Sequence, residues 1–160
     1  MMSILNQRGN LSTLIVALAG LLFAPLAFAD DKDDVMAFID QYGELEDDLA
    51  AQARMMRDDR VMITGIRRTD NAKNMEIQMA GRKAGEAVNG GKTRFITTIE
   101  SPHIAIYGNT AVASFIRIFS VYPHNQPSDG GNPNWVTLVL VKEGGDWGIA
   151  HTHMSPAGGN

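Results

Sequence analysis

The sequence predicts an α+β domain in which three N-terminal helices pack on a curved antiparallel sheet. Two observations support this prediction. Apolar residues recur at helical spacing between residues 35 and 88, and from residue 93 onward β-branched runs alternate with short turn signals. Helices followed by strands that are joined by hairpins form an α+β order. A curved sheet wrapped over helices makes a cone, and we expect an apolar pocket at its wide end.

The first 29 residues are predicted to be a secretory signal peptide. Arg8 supplies a positive charge, Leu11–Leu22 is almost wholly apolar, and Ala27-Phe28-Ala29 presents small residues at the positions that a signal peptidase reads. The apolar run is shorter than the ~20 residues that span a bilayer, which argues against a membrane anchor. We therefore expect cleavage near Ala29 and a periplasmic or secreted mature protein that is not attached to the membrane.

The rest of the chain is predicted to form one domain over residues 30–156, followed by a disordered tail over residues 157–160. It contains no cysteine, which excludes disulfides, thiol nucleophiles and thiolate metal sites. The formal net charge of the whole chain is −4 at pH 7, and there is no basic run. Neither nucleic acid nor an anionic membrane is therefore an expected partner, and no cofactor is predicted.

The helical half begins with an acidic segment, which suits a helix N-terminus because the helix dipole favours negative charge there. Gly43 is expected to kink the first helix or to divide it from a second. The acidic residues that follow, Glu46 among them, are interpreted as a solvated helix face. Asp70 is the predicted N-cap of the third helix. The predicted segments after Gly43 are a helix over 44–57, a strand over 61–64, a loop over 65–69 and a helix over 70–88.

The second half is predicted to consist of long strands joined by hairpins. Ser101-Pro102 should interrupt the first of them, and Gly108-Asn109 is a turn signal that pairs the next strand back on it. A polar loop over residues 123–133 precedes the last two strands. The predicted strands cover residues 93–100, 103–107, 110–122 and 135–142, with a final strand that ends at residue 156.

The final strand carries two of the candidate catalytic residues. Strict alternation would place Trp147, Ile149, His151 and His153 on one face of the sheet. Two histidines on one face lie roughly 6–7 Å apart, but a metal site needs at least three ligands, so no metal is predicted. One histidine is expected in the core and the other in the pocket, where it could act as a general base.

Arg117 is the strongest candidate for a ligand-binding residue. It shares a strand face with Phe115 and Phe119, and an arginine in the middle of an apolar face needs a carboxylate or an anionic ligand as its partner. We expect these three residues and Trp147 to line the pocket. The alternative is an internal ion pair between Arg117 and an acid such as Asp59.

Tyr42, on the apolar side of the first helix, could direct its hydroxyl into the pocket and take part in catalysis or binding. More commonly, a tyrosine there is a core residue with a satisfied hydroxyl. The opposite sheet face carries Val112, Ile116 and Ile118. An exposed apolar sheet surface of that size usually marks a partner, so we expect a homodimer through the sheets.

The order of these elements, closed by Trp147 and His151, resembles the cystatin-like cone fold of the SnoaL-like and nuclear-transport-factor-2-like superfamily. Residues 93–158 are most similar to the association domain of calcium/calmodulin-dependent protein kinase II. The matching segments are Thr97-Thr98-Ile99-Glu100-Ser101-Pro102-His103, Phe115-Ile116-Arg117 and His151-Thr152-His153-Met154-Ser155. The resemblance implies a self-associating domain without kinase catalysis, with a deep pocket that contains Arg117. Val136 and Leu138 stand where that family carries Glu and Arg.

The predicted function is that of an exported, self-associating domain that binds a small organic molecule, an anion if Arg117 holds it. One alternative is an isomerase, cyclase or dehydratase in which His151 or His153 removes a proton. In that enzyme, Tyr42 or Arg117 would stabilise an enolate-like oxygen. The other alternative is a pure oligomerisation module, and the fold alone does not decide among the three.

Overall fold

The computed structural model describes residues 24–158. Most of the predicted signal peptide, residues 1–23, and the end of the predicted tail, residues 159–160, lie outside the described residues. No helix in the described range is long and apolar enough to span a membrane. The elements, in chain order, are α1 (Ala24–Glu44), a 3-10 turn (Leu45–Asp47), α2 (Leu49–Ala53), β1 (Met56–Thr64), β2 (Arg67–Thr69), α3 (Asn71–Asn89), β3 (Arg94–Tyr107), β4 (Thr110–Tyr122), β5 (Asn132–Glu143) and β6 (Asp146–Pro156).

The six strands form one curved sheet in the order β2-β1-β6-β5-β4-β3. Strands β3 to β6 are antiparallel neighbours, as predicted. Strands β1 and β6 run parallel, which corrects the expectation of a wholly antiparallel sheet. The chain forms β1 before α3 and returns beside it only with β6, so no hairpin constrains these two strands to be antiparallel. The α+β class, with helices first and a strand meander after them, is confirmed.

Helix α3 begins and ends where local signals predict. The carboxylate of Asp70 accepts a hydrogen bond from the Lys73 backbone N–H at 2.8 Å and caps the helix. Gly90 ends it with a φ of 72°, which a glycine adopts without strain. None of its residues is buried, so α3 lies over the sheet and contributes no buried side chain to the core.

The second predicted helix is much shorter than expected. The side chain of Asp48 caps α2 by accepting a hydrogen bond from the Ala51 N–H at 2.9 Å, and β1 already begins at Met56. Pairing with the last strand of the chain therefore overrides the local helical pattern. The predicted loop over residues 65–69 also differs, because Arg67–Thr69 pairs back on β1 as strand β2.

The predicted interruption at Ser101-Pro102 is a bulge within one long strand. The pairing of β3 with β4 shifts register between Glu100 and His103, and Ser101 has a φ of 52°. Strand β3 lies at the edge of the sheet, where a proline without an N–H is tolerated. Strand β4 has the predicted bounds.

Helix α1 covers the narrow end of the cone and buries Val35, Ile39 and Tyr42 against the sheet. Gly43 does not divide this helix, since α1 runs through it to Glu44. A Cβ atom at Gly43 would lie 3.2 Å from the Ile99 side chain. The glycine therefore permits a close approach between α1 and β3 rather than a break in the helix.

Candidate ligand-binding cavity

A cavity of about 470 Å³ is enclosed by α3, the turn after α1 and the inner face of the sheet. Its volume lies in the range of ~300–1,000 Å³ that is typical of small-molecule sites. Helix α3 contributes residues that recur at helical spacing along one of its sides. These residues are Asn74, Ile77, Gln78, Gly81, Arg82, Gly85 and Asn89.

The cavity is cationic although the protein is acidic. Four arginines line it, together with a single carboxylate, so its formal charge is +3, whereas the whole chain carries −4. The arginines come from β1, β2, α3 and β4, and the carboxylate comes from the 3-10 turn. In that order they are Arg60, Arg67, Arg82, Arg117 and Glu46.

Glu46 is the carboxylate that two of these arginines share. Its side chain is only 2% exposed. Oε1 accepts a hydrogen bond from Arg82 Nη2 at 2.9 Å, and Oε2 accepts one from Arg117 Nη2 at 2.8 Å. Gln52 Nε2 donates to Oε2 at 3.2 Å. The interpretation of Glu46 as part of a solvated face is wrong, because α1 ends before it and the 3-10 turn directs the carboxylate inward.

Two phenylalanines support the same arginines from the opposite side. The guanidinium carbon of Arg82 lies 3.9 Å from the ring centroid of Phe95, and that of Arg117 lies 4.6 Å from the centroid of Phe119. The two rings stack with centroids 5.8 Å apart. Each arginine is therefore held between a carboxylate and an aromatic face, and the five side chains form a closed ring on the cavity wall.

Arg117 faces the cavity, as Phe119 and Tyr42 do. The internal ion pair that the sequence left open exists, but its acid is Glu46, because Asp59 pairs with Arg57 instead. Arg117 Nε is buried and has no hydrogen-bond partner among the described residues.

Arg60 is the most deeply buried of the three cavity arginines that the sequence did not indicate. It is 3% exposed, and its nearest partners are all neutral. Arg60 Nε donates to Thr152 Oγ1 at 3.1 Å, Nη1 donates to Asn71 Oδ1 at 3.3 Å, and Nη2 lies 3.3 Å from Met62 Sδ. No carboxylate in residues 31–158 forms an ion pair with it.

Asp58-Asp59-Arg60 lies between the predicted helix over 44–57 and the predicted strand over 61–64. In the structure these residues belong to β1, which is irregular between Met56 and Val61. Arg60 and Met62, two positions apart, are buried on its inner face. Burial lowers the pKa of the Arg60 guanidinium, an effect that the nearby Tyr42 opposes. Extending the predicted strand over 61–64 back by one residue would have placed Arg60 on the same face as Met62, but the prediction put residue 60 before the strand.

Tyr42 lines the cavity between these cations. Burial raises the pKa of its hydroxyl, Arg117 and Arg60 counteract this, and Glu46 adds to it. A pKa above the ordinary value keeps the hydroxyl protonated at neutral pH. Tyr42 therefore offers the cavity a neutral hydroxyl that can donate a hydrogen bond.

The two histidines of β6 do not face the cavity. Val139 pairs with His151 while its neighbour Leu140 pairs with Ile149, so Ala150 is an unpaired bulge residue. The extra residue reverses the alternation beyond it. Ile149 and Thr152 point into the core with 0% exposure, whereas His151 is half-buried and His153 exposed on the opposite face. The placement of both histidines on the face of Trp147 is therefore corrected.

Phe115 and Trp147, which the sequence placed in the pocket, lie in the hydrophobic core instead. They share that core with Val35 and Ile39 of α1, because α1 fills the narrow end of the cone. The cavity begins further along β4, at Arg117. Within the described part of the chain, no group of three or more His, Cys, Asp or Glu side chains could hold a metal ion.

The sequence model of the SnoaL-like domain matches residues 35–158, which is most of the chain. The chain belongs to the SnoaL-like domain family. No curated protein matches the sequence of this SnoaL-like domain. Several solved structures share its fold, at sequence identities that are too low to indicate more than the fold.

One similar structure is a nuclear-transport-factor-2-like protein with a cystatin-like fold from Novosphingobium aromaticivorans. It has a TM-score of 0.70 and 15% identity, and the match covers 90% of this chain and 94% of that one. Another is the calcium/calmodulin-dependent protein kinase II hub homology domain of Chlamydomonas reinhardtii, with a TM-score of 0.64, 19% identity and coverage of 80% and 99%. ActVI-ORFA from Streptomyces coelicolor has a TM-score of 0.66, 12% identity and coverage of 79% and 97%. The cystatin-like cone predicted for the SnoaL-like domain is confirmed.

Proposed function

We propose that this SnoaL-like domain binds a small organic anion in its cavity. The observation that supports this function is the charge of the cavity lining, +3 in a chain of net charge −4. Buried arginines cannot lose their charge, and desolvating them is unfavourable unless a counter-ion is near. Two of the four arginines, Arg60 and Arg117, are buried, and a single carboxylate lines the cavity among the described residues, so an anionic ligand would complete the balance.

The arrangement favours binding over proton-transfer catalysis by histidine. His151 and His153 lie on the outer sheet face, and Glu46 is held by two arginines. Tyr42 keeps its proton at neutral pH. Binding requires none of these groups as a general base, whereas the proposed isomerase or lyase chemistry would require one within hydrogen-bond reach of the substrate.

The test is thermal unfolding with a panel of benzoate, cinnamate, phenylpropionate and octanoate, each beside its neutral amide. A ligand at ~100 times its dissociation constant adds ~2.7 kcal/mol to the free energy of unfolding. For a domain of this size the melting temperature should rise by roughly 5–10 °C. If no member of the panel raises it, the proposed function is wrong.

A cavity-filling variant shows whether a shift arises in this cavity. Gly85 lines it, and a Cβ atom at this position meets nothing within 4 Å, so Gly85→Leu should fill space that the ligand needs. The matched control is Ala84→Leu, at the exposed neighbouring position of α3. The ligand-induced shift should disappear in Gly85→Leu and persist in Ala84→Leu.

We also propose that the domain self-associates through its outer sheet face. Trp135 of β5 is 50% exposed there and pairs with Ile116 of β4, which extends the apolar surface across two strands. An apolar surface of this kind typically marks an interface. Sedimentation equilibrium should give a dimer or a larger assembly for the wild type, and a monomer for Trp135→Lys. Val88→Lys, at an exposed position of α3, should leave the assembly unchanged.

We propose in addition that the protein is exported and cleaved after Ala29. The first core residue of α1 is Val35, and Asp31 pairs with Lys142 of β5. Cleavage after Ala29 would leave these contacts intact. Expression of the full chain in a Gram-negative host should yield periplasmic protein with the mass of residues 30–160. An uncleaved chain in the cytoplasm would contradict this proposal.

A further inference from the structure

We infer that Arg60, rather than Arg117, binds the anionic group, and that the ligand is an organic acid with an apolar or aromatic body. The inference rests on the proposed function and assigns an orientation to the ligand. The acid group would lie beside β1, and the body would extend along α3 toward Phe95 and Phe119.

The charges near each arginine distinguish them. Arg117 and Arg82 each form an ion pair with Glu46 at 2.8 and 2.9 Å, and each guanidinium also lies against a phenylalanine ring. A second anion near them would be repelled by the Glu46 carboxylate, since like charges in a poorly solvated site disfavour each other. Of the four cavity arginines, Arg60 and Arg67 have no carboxylate partner among the described residues. Arg67 is exposed, so Arg60 is the buried cation without a counter-ion.

The contacts of Arg60 fix its position without neutralising its charge. A hydroxyl, an amide oxygen and a thioether sulfur lie at 3.1–3.3 Å from its three nitrogens. A guanidinium has five N–H donors, so two remain for a ligand. A carboxylate on those two donors would form the paired hydrogen bonds that arginine favours.

The polar groups beside Arg60 suit the oxygens of an acid. A small side cavity of about 30 Å³ adjoins the main one at this point. Arg60, Gln52, Asn74 and Gln78 line both cavities. The amide of Gln52 already donates to Tyr42 O and Glu46 Oε2. The amide N–H groups of Asn74 and Gln78 can donate to carboxylate oxygens that the guanidinium leaves free.

Toward the other end of the cavity, aromatic and aliphatic side chains lie beside the ion pairs that Arg82 and Arg117 form with Glu46. From Asn74 to Asn89, the helix α3 spans about 22 Å at 1.5 Å per residue. Phe119 and Val121 of β4 line the cavity, as does Phe95 of β3. A cavity with an unpaired cation at one end and aromatic rings further along selects a ligand that is charged at one end only.

The experiment compares cinnamate with cinnamamide by calorimetric titration of wild-type protein, Arg60→Met, Arg117→Met and Arg57→Met. Methionine keeps the apolar stem and removes the charge. Arg57 lies on β1 as well but pairs outside the cavity, with Asp59 and Glu143, and is the matched control. We expect Arg60→Met to weaken cinnamate binding at least ~30-fold, the loss typical of removing one member of a buried charge pair.

Cinnamamide should bind wild type and Arg60→Met equally, and Arg57→Met should bind cinnamate like the wild type. If cinnamate binds but Arg117→Met loses affinity while Arg60→Met keeps it, the inference is overturned and the proposed function stands. Equal affinity of the wild type for acid and amide overturns it as well, whatever the variants do. If the panel produces no binding at all, the proposed function itself fails.

The conservative variant Arg60→Lys tests the same inference if Arg60→Met does not fold. Lysine keeps the charge but lacks the planar fork, so cinnamate affinity should fall between those of the wild type and Arg60→Met. An Arg60→Lys protein that melts like the wild type and binds cinnamate without loss would contradict two-point binding by Arg60.

Discussion

Glu46 Oε2 lies 2.8 Å from Arg117 Nη2 although 71 positions separate the two residues. The same carboxylate binds Arg82, which brings α3 into the contact. One buried side chain thus connects the turn after α1, strand β4 of the sheet and the helix over the cavity. The stability of the protein and the shape of its cavity therefore depend on a single acid.

Removing that acid should be strongly destabilising. Glu46→Gln leaves the buried Arg117 and the half-buried Arg82 without a counter-ion, and breaking a buried ion pair on one side costs about 3–5 kcal/mol. Urea denaturation should show a loss of that size. Glu76→Gln, which breaks an exposed pair with Lys73, should change the free energy of unfolding by less than about 1 kcal/mol. Similar losses of unfolding free energy in both variants would mean that the ion pairs of Glu46 stabilise the protein no more than an exposed pair does.

The double variant Glu46→Gln/Arg117→Met should recover part of this loss. Removing the stranded cation together with its acid avoids an uncompensated buried charge, so the two single effects should not add. The measurement is a double-mutant cycle from urea denaturation. Strict additivity would contradict the direct coupling between Glu46 and Arg117.

Helix α3 should be the least stable element around the cavity. It has no buried residue, and Arg82 ties its middle to Glu46 and Phe95. In Arg82→Met, the hydrogen-exchange rate should increase in α3 but remain unchanged in the central strands β5 and β6, because local opening of a weakly packed element needs little free energy. The control is Lys83→Met, at the adjacent exposed position, which should leave the exchange of α3 unchanged.

Two glycines should respond to alanine in opposite ways. Gly81 lies inside α3 with nothing within 4 Å of an added Cβ, so Gly81→Ala should stabilise the protein by about 0.5–1 kcal/mol through helix propensity. At Gly91 the new Cβ would lie 2.5 Å from the His124 ring. Gly91→Ala should therefore destabilise the protein by about 0.5–1.5 kcal/mol, because the exposed His124 ring must leave its rotamer. Thermal melting of the two variants checks both signs.

Asp129 should contribute stability that acid removes. The backbone N–H groups of Val121 and Gly131 donate to its carboxylate at 3.0 and 3.1 Å and hold its pKa below the ordinary value. Because the pKa is lower in the folded state, the contribution is present above about pH 4 and is lost as the pH falls through the folded pKa. The stability difference between wild type and Asp129→Asn should therefore shrink between pH 5 and pH 2. A difference that is constant over this range would contradict the assignment.

The histidines of β6 provide a test of the bulge at Ala150. Both lie on the outer face, so His151→Ala and His153→Ala should leave the affinity for cinnamate within about twofold of the wild-type value, an effect below ~0.4 kcal/mol. Titration calorimetry measures this directly. A loss of binding in either variant would mean that the histidine reaches the ligand and that the outer-face assignment is wrong.

Local signals predicted the parts of this fold that local forces determine. The N-cap at Asp70 and the turn at Gly108-Asn109 each act over a few residues. Helix α3 lies within one residue of its predicted bounds, and β4 has the predicted bounds. Alternation along β4 likewise placed Arg117 on the inner face. The α+β class follows from the order of such segments.

The parts that sequence reasoning missed depend on contacts between distant residues. The partner of Arg117 could not be chosen among the acidic residues, because Glu46 reaches it only after the chain turns inward beyond α1. The buried position of Arg60 depends on β1, which forms where the local pattern favours a helix. The faces of His151 and His153 depend on a bulge that only the pairing of β6 with β5 reveals.

The bulge at Ala150 determines which of the following residues of β6 face the inside of the cone and which face the outside. Residues after it contribute to the cavity wall or to the outer surface according to whether an odd or even number of residues precedes them in the strand. Deleting or inserting one residue here would exchange the two sets in a single step and leave every other residue of the chain unchanged. A homologous chain with the same His-Thr-His sequence but no bulge would carry its histidines inside the cone. A one-residue gap at this point of an alignment therefore distinguishes proteins with histidines in the cavity wall from proteins without them.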